Sequence, residues 1–222
     1  VNLIQENSGK DLYIRHAAIE ALTKFDAKTL GILNNHNSVE VQLCAVVALR
    51  RNKAPEIRRF LKAESDFVST EAALGIYDDF SILPAMSYLA EALESSDNNK
   101  TAFVLRAINA NARIGSFKNA ARVAKWASDE TQSEEHRLFA LKRLIESNSP
   151  PKLDAVTGRY RSSQDSIAEF SSIRQALEPF IQRLLVDGSA KVQAAAMQLS
   201  RKYDLLPSHE ILVRLIKQET SD

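Results

Sequence analysis

The sequence predicts an all-α fold, an α-solenoid (α-α superhelix) of about six helical hairpins with an insertion in the fifth. Three observations predict it. Pairs of small residues recur at a nearly fixed interval, apolar residues follow the helical period around each pair, and a second amphipathic segment follows each one after a break. The pairs are Ala17-Ala18, Cys44-Ala45, Ala72-Ala73 and Ala195-Ala196.

The first helix of each hairpin carries the small pair, because small side chains at a crossing let the next helix approach closely. In the first unit the predicted buried face contains Ile14, Ala18, Ala21 and Leu22. In the second unit Cys44 is predicted to act as a small apolar filler. The later units are more degenerate, with first helices expected at 101–115 and 134–145.

The second helices are predicted from the amphipathic segments that follow. They are expected at roughly 28–34, 55–62, 82–94, 118–128, 173–186 and 209–217. Pro55, Pro84 and Pro179 are expected in or near their first turns. The predicted N-caps of the first helices are Asp11, Ser38, Asp66 and Ser133. Paired helices of about 12 residues joined by short turns are typical of HEAT and armadillo-like repeats.

An insertion at about 148–170 is predicted within the fifth hairpin. Ala140 and Ala196 lie about two repeat lengths apart, yet only one second helix falls between them. Loops of this length are functional or disordered, and both alternatives stay open. Gly158 permits a turn that presents Arg159, Tyr160 and Arg161 together, and arginine and tyrosine are favoured at interfaces.

Contacts inside the insertion are also predicted. Asp154 is expected to pair with Arg159 or Arg161. Apolar anchors are expected at Val156, Tyr160, Ile167 and Phe170. The insertion is therefore predicted to fold back over one edge of the array and contact an adjoining domain or partner.

Composition agrees with a single helical domain over residues 1–222. Hydrophobic residues make up 45% of 222, and six Gly with six Pro are few for a strand-rich or disordered chain. No apolar run is long enough for a transmembrane helix, and no signal peptide is recognisable. Because the chain begins with Val rather than Met, we expect a fragment of a larger multidomain protein.

Charge is balanced, with 29 Lys and Arg against 28 Asp and Glu. The net charge of +1 gives no drive toward nucleic acid or an anionic membrane. One local basic segment surrounds the second turn and is either a solvated hairpin edge or a docking patch for an acidic partner. It contains Arg50, Arg51, Lys53, Arg58, Arg59 and Lys62.

Motifs for catalysis, cofactors and metals are absent from the sequence. It has no Cys-x-x-Cys, glycine-rich phosphate loop, His-Glu-x-x-His or Gly-x-Ser-x-Gly. The four histidines fall in different repeats, and His16 with Glu20 is interpreted as a surface contact. One cysteine excludes an internal disulfide. We therefore expect no catalytic residue, no cofactor and no metal site.

Two asparagines stand out in an otherwise apolar helix. Asn109 and Asn111 are half-buried by the helical period, so their amides must find hydrogen bonds. We interpret them as structural polar residues that brace neighbouring repeats. The candidate interface residues are Asp154, Thr157, Arg159, Tyr160 and Arg161 of the insertion and Arg50, Arg51, Arg58 and Arg59 of the basic segment.

Several of these stretches resemble the HEAT-repeat segment of a family of large exported bacterial proteins. The resemblance rests on Arg15-His16-Ala17-Ala18, on Ala48-Leu49-Arg50-Arg51, on Glu71-Ala72-Ala73 through Ile76-Tyr77-Asp78, and on Leu105-Arg106-Ala107-Ile108-Asn109-Ala110-Asn111 with Arg113-Ile114-Gly115. Asp154-Ala155-Val156-Thr157-Gly158-Arg159-Tyr160-Arg161 is similar to the family's Asp-x-Val-Thr-Gly-x-aromatic-Arg element, with Tyr160 where Trp is expected.

Members of that family join a glucose/sorbosone dehydrogenase-like β-propeller to HEAT repeats and a c-type cytochrome domain. The resemblance implies a periplasmic or otherwise exported module between these two domains. It implies no catalysis within this chain, whose partners would be adjoining domains of the same polypeptide. The sequence contains no heme-attachment Cys-x-x-Cys-His motif.

Two other functions stay open. A free-standing adapter that binds proteins or peptides would share the same fold. A HEAT-type nucleic-acid glycosylase or a cofactor lyase is an enzymatic alternative, but a glycosylase needs a basic concave face with convergent aromatic residues and a carboxylate. The net charge of +1 and the single Trp126 do not favour it. No nucleic acid, membrane or metal partner is expected.

Overall fold

Helices form nearly all the regular structure of the chain. The structure, a computed structural model, describes residues 1–78, 82–95, 100–160 and 169–219, with side chains up to 214. Of these described residues 73% are helical and none belongs to a strand. An isolated antiparallel bridge joins Leu153 to Tyr160. The predicted all-α fold with at least about 60% helix is confirmed.

The helices follow the predicted order of first and second segments. The α-helices are α1 (Asn2–Asn7), α2 (Leu12–Leu22), α3 (Ala27–Ile32), α4 (Val39–Arg51), α5 (Asp66–Tyr77), α6 (Met86–Glu91), α7 (Thr101–Ile114), α8 (Phe117–Ala127), α9 (Glu134–Glu146), α10 (Phe170–Leu185), α11 (Ala190–Lys202) and α12 (His209–Glu219). Short 3-10 helices cover Leu33–Asn35, Pro55–Lys62, Leu83–Ala85 and Ala92–Ser95. The sequence does not predict α1, because six residues are too few to establish a period.

The chain divides into two compact units, Val1–Ala107 and Ile108–Asp222. In the first unit α2, α4 and α5 pack in chain order as one layer. The second layer contains α3, the 3-10 helix Pro55–Lys62 and α6. This two-layer stacking of hairpins is the arrangement predicted for a solenoid. A single domain over 1–222 stays a prediction.

Small residues lie where helices of the first unit meet. Cys44, Ala45, Ala72 and Ala73 are all fully buried, so α4 and α5 can approach closely. Gly75 is a further contact point, since a Cβ there would lie 2.7 Å from Cδ1 of Ile57. A side chain at Gly75 would therefore force Ile57 to shift.

The second helix of the second hairpin, Pro55–Lys62, is a 3-10 helix. Pro55 occupies its first turn, as predicted. Ile57 and Phe60 are three residues apart and both completely buried, and residues at this spacing eclipse each other in a 3-10 helix. The apolar spacing therefore suits the tighter helix at this position.

The predicted buried face of α2 is wrong in part. Ile19 and Leu22 are buried, whereas Ala17 and Ala21 are exposed and Ala18 is only half-buried. Apolar residues lie almost all around this helix, so its period alone does not select one face. Its contacts with α1 and α4 make the selection.

The second unit repeats the two-layer arrangement. α9 packs against α11 in one layer, and α8 packs against α10 in the other. α10 begins at Phe170, three residues before its predicted start, so Pro179 lies inside the helix rather than in its first turn. Pro179 is exposed, and on that side water can satisfy the carbonyl that the proline leaves unpaired.

Three of the four predicted N-caps are confirmed. Asp11, Ser38 and Ser133 each accept a hydrogen bond from the first turn of the following helix. Asp66 is wrong as a cap: Ser65 occupies that position and Asp66 is the first helical residue. A carboxylate in the first turn is stabilising because it interacts with the positive end of the helix dipole. Asp66 also forms an ion pair with Lys100 at 2.8 Å.

Candidate functional site

The described part of the insertion ends in a closed turn, residues 153–160, named here the tip. The backbone N–H of Asp154 donates to the carbonyl of Arg159 at 2.7 Å, and Gly158 N–H donates to the Asp154 carbonyl at 2.9 Å. Gly158 has a φ of +68°, a conformation that glycine adopts without a steric penalty. These bonds place Leu153 and Tyr160 opposite each other.

Asp154 is the hydrogen-bond acceptor at the centre of the tip. Its Oδ1 accepts from the backbone N–H groups of Val156 at 2.9 Å and Thr157 at 2.8 Å, and from the Thr157 hydroxyl at 3.1 Å. Aspartate commonly folds a turn in this way. Only 3% of the residue is exposed, so the carboxylate needs partners on its other oxygen as well.

Helix α7 supplies those partners. Asp154 Oδ2 accepts from Asn109 Nδ2 at 2.8 Å and from Arg113 Nη2 at 2.7 Å. Asn109 and Arg113 are four residues apart and therefore share one face of α7. All three side chains are buried. Asp154 thus forms an ion pair with Arg113. Its predicted pairing with Arg159 or Arg161 stays a prediction, and Arg161 lies outside the described residues.

Asn111 lies two positions from Asn109 and faces a different neighbour. Its Oδ1 accepts from Asn119 Nδ2 at 2.9 Å and from Arg122 Nη1 at 3.0 Å, both on α8. Residues two apart on a helix do not share a face. The two asparagines consequently join α7 to separate parts of the second unit, Asn109 to the tip and Asn111 to α8.

The outer side of the tip is exposed. Tyr160 is 74% exposed and Leu153 56%. Arg159 is also exposed, as is Lys152 just before the tip. The prediction of Tyr160 as an internal anchor is wrong, because the residue is largely exposed. Thr157 is half-buried, and its hydroxyl accepts from Arg159 N–H at 3.3 Å.

The other predicted anchors differ in position. Val156 is half-buried. The Phe170 ring lies 5.1 Å from the ring of Tyr203, between centroids. Ile167 lies outside the described residues. The contact role of the tip stays a prediction.

Arginines of the basic segment form ion pairs and ring contacts within the first unit. Arg50 Nη1 lies 3.5 Å from Glu71 Oε1, and Arg51 forms an ion pair with Glu20. Both pairs join neighbouring first helices. Arg50 and Arg51 therefore help to hold the layer together, and their docking role stays a prediction.

Arg58 and Arg59 lie on the 3-10 helix of the second layer. Arg58 places its guanidinium 4.7 Å from the centre of the Tyr88 ring and donates to the Pro55 carbonyl at 3.4 Å. The exposed Arg59 runs along Gly31, where a Cβ would lie 3.2 Å from its Cδ. Docking of an acidic partner here also stays a prediction.

A cavity of about 200 Å³ lies between α1, α2 and α4, with Arg15, Glu40 and Cys44 in its lining. Burial raises the pKa of the Cys44 thiol, so the nucleophilic thiolate is disfavoured at neutral pH. Cys44 is almost fully buried. The thiol therefore acts as a packing group, as predicted.

The histidines are dispersed among the repeats. His16 lies 4.0 Å from Glu20 on the exposed side of α2, and His36 Nδ1 accepts from the backbone of Ser38 at 3.0 Å. His136 is buried in α9. Within the described residues no group of three His, Cys, Asp or Glu side chains could hold a metal ion. The described helices are also too short or too polar to cross a membrane.

Sequence reasoning missed the partner residues on α7 and α8. Arg113 belongs to the stretch that carries the family resemblance, yet its pairing with Asp154 is not evident from local sequence. The signal that could have found it is the spacing of Asn109 and Arg113 on one helical face. A second buried pair, Arg137 with Asp187, joins α9 to the start of α11 and was also missed.

No protein-family model matches the chain, and no curated protein matches it. Among solved structures it is similar to a designed armadillo repeat protein, with 16% identity and a TM-score of 0.46, over 91% of this chain and 98% of that chain. It is also similar to an engineered protein, with 16% identity and a TM-score of 0.47, over 91% and 97%. Similarity at this level supports no conclusion about function.

Proposed function

We propose that this chain is a non-enzymatic HEAT-repeat scaffold that contacts an adjoining domain through the tip. The proposal rests on the contrast between buried and exposed residues within the tip. Asp154 is buried and bonded to α7, while Arg159 and Tyr160 of the same turn are exposed. Arginine and tyrosine on a firmly held turn are the residues that often dominate binding energy at interfaces.

The proposed neighbours are a glucose/sorbosone dehydrogenase-like β-propeller and a c-type cytochrome domain in an exported protein. Support for this finer role comes from the resemblance of the asparagine stretch and of the Asp-x-Val-Thr-Gly element. In this role the repeats set the distance and orientation between the two domains. The redox chemistry belongs to those domains and not to this chain.

The gene that encodes this chain discriminates between the proposed role and a free-standing adapter. A propeller sequence before residue 1 and a Cys-x-x-Cys-His motif after residue 222 would support the scaffold within one polypeptide. A reading frame without either domain would contradict that role and favour the adapter.

A double variant tests the contact itself. Replacing Arg159 and Tyr160 by Ala in this chain is expected to weaken association with the adjoining domain roughly tenfold or more. Circular dichroism should not change, because both side chains are exposed. Association is measured by titration calorimetry between the separately produced neighbouring domain and this chain.

The matched control removes the same residue types at other exposed positions. Tyr13 and Arg201 are both exposed, so Tyr13→Ala with Arg201→Ala should leave the association as in the parent. Equal affinity of the parent, the control and the tip variant would contradict the proposed contact.

A further inference from the structure

We propose that Asp154 is the positioning residue of the tip, a single buried carboxylate that holds the turn in one conformation before any partner binds. Among the described residues, three donors from the tip and two from α7 reach its two oxygens. The tip thus depends on Asp154 both for its own fold and for its attachment to α7.

The division of the donors between the two oxygens makes this role specific to aspartate. Oδ1 faces the N–H groups of Val156 and Thr157, and Oδ2 faces the amide of Asn109 and the guanidinium of Arg113. Asparagine has the same shape but carries one NH₂ group. In either orientation its NH₂ would face donors, so one set of hydrogen bonds must break.

Among the described residues, few backbone hydrogen bonds support the tip. Two main-chain hydrogen bonds close the turn, and its described residues form only an isolated bridge rather than a ladder. A short turn of this kind is not stable without side-chain help. The bonds to Asp154 supply that help, which agrees with the almost complete burial of its carboxylate.

Because the turn is held before a partner arrives, Tyr160 is already in position. Binding then loses less conformational entropy. This use of the conformation rests on the proposed function. The conformation itself does not, so it can be tested on the 222-residue chain alone.

Amide hydrogen exchange, read by NMR or by mass spectrometry on peptides that cover 153–160, is the test. In Asp154→Asn, exchange at Val156 and Thr157 is expected to be about tenfold faster or more, because their acceptor is lost. Exchange at Ser189, beside the other buried pair, is expected to stay as in the parent.

Asp187→Asn is the matched control. Asp187 is also buried, pairs with Arg137 and accepts from the backbone N–H of Ser189 at 2.9 Å. This variant loses a comparable ion pair elsewhere in the second unit. It should accelerate exchange near Ser189 and leave the tip unchanged, which separates positioning of the tip from general loss of stability.

A milder variant covers the case in which Asp154→Asn does not fold. Thr157→Val removes one hydroxyl, which donates to Asp154 and accepts from Arg159 N–H, while the core stays intact. Exchange at Arg159 should increase by severalfold.

The proposal is overturned if the tip of the parent exchanges at the rate of an unstructured peptide. It is also overturned if both tip variants exchange as the parent does, or if Asp187→Asn accelerates the tip as much as Asp154→Asn. Fast exchange in Asp154→Asn combined with unchanged partner binding would reject the proposed contact instead.

Discussion

Arg113 and Arg137 each place a buried guanidinium against a buried aspartate, Asp154 and Asp187 respectively. Removing one member of such a pair is costly, about 3–5 kcal/mol, because the other charge stays buried without its partner. Each pair also joins a helix to a turn that is distant in sequence. At the residue scale, buried charge in the second unit therefore fixes the position of turns.

His136 gives the second unit a dependence on pH. Burial lowers its pKa below the ordinary value of 6.5, against the opposing effect of the negative charge of Glu135. The unfolded chain then binds a proton more readily than the folded chain. Stability is expected to decrease as the pH falls below 6.5 and to level off once the pH is below the folded-state pKa.

Urea unfolding of the parent and of His136→Gln, each at about pH 7.5 and about pH 5.5, measures this effect. The decrease in the free energy of unfolding on acidification should be smaller in the variant. An identical decrease in both proteins would assign the pH dependence to other groups.

At the scale of the elements, the stability of the fold is expected to be most sensitive to substitution where first helices cross. Ala45 on α4 is fully buried against the neighbouring helices. Ala45→Leu is expected to lower the free energy of unfolding by about 1–3 kcal/mol, because the larger side chain forces the helices apart. Thermal or urea unfolding followed by circular dichroism measures the loss.

Ala17→Leu is the control, because Ala17 belongs to the equivalent small pair but is exposed on α2. A change within about 0.5 kcal/mol is expected there. A similar loss in both variants would mean that the helices of the first unit pack in a different register.

Several first helices could be predicted because they combine a helical period with a recognisable end. Ser38 and Ser133 cap the helices that follow them, and the small pairs of the second and third units are buried as the pattern requires. In α2 the helical period does not separate an apolar face from a polar face, since apolar residues nearly surround the helix. Burial of Ile19 rather than Ala21 depends on the neighbouring helices, which the local sequence does not contain.

The insertion illustrates the same limit at the candidate site. Its place in the fifth hairpin and the turn at Gly158 follow from local residues. The partner of Asp154 does not, because Arg113 is distant in the chain and the nearer Arg159 satisfies the same charge rule. Long-range ion pairs depend on how helices pack, and the sequence of one segment cannot specify that.

At the scale of the whole molecule, the described residues contain stacked hairpins and an exposed tip rather than a cluster of reactive groups. Each unit has its own two-layer packing. A firmly held turn on such a scaffold is suited to positioning a neighbour. The proposed function requires such a contact between the tip and a neighbouring domain.

A photo-reactive amino acid at position 160, in cells that make the protein, tests this contact. The same residue at Tyr13 serves as the control, since both tyrosines are open to solvent. The proposed function predicts that position 160 cross-links to peptides of a propeller or a c-type cytochrome domain and that position 13 does not. Equal cross-linking at both positions, or none at position 160, would contradict it.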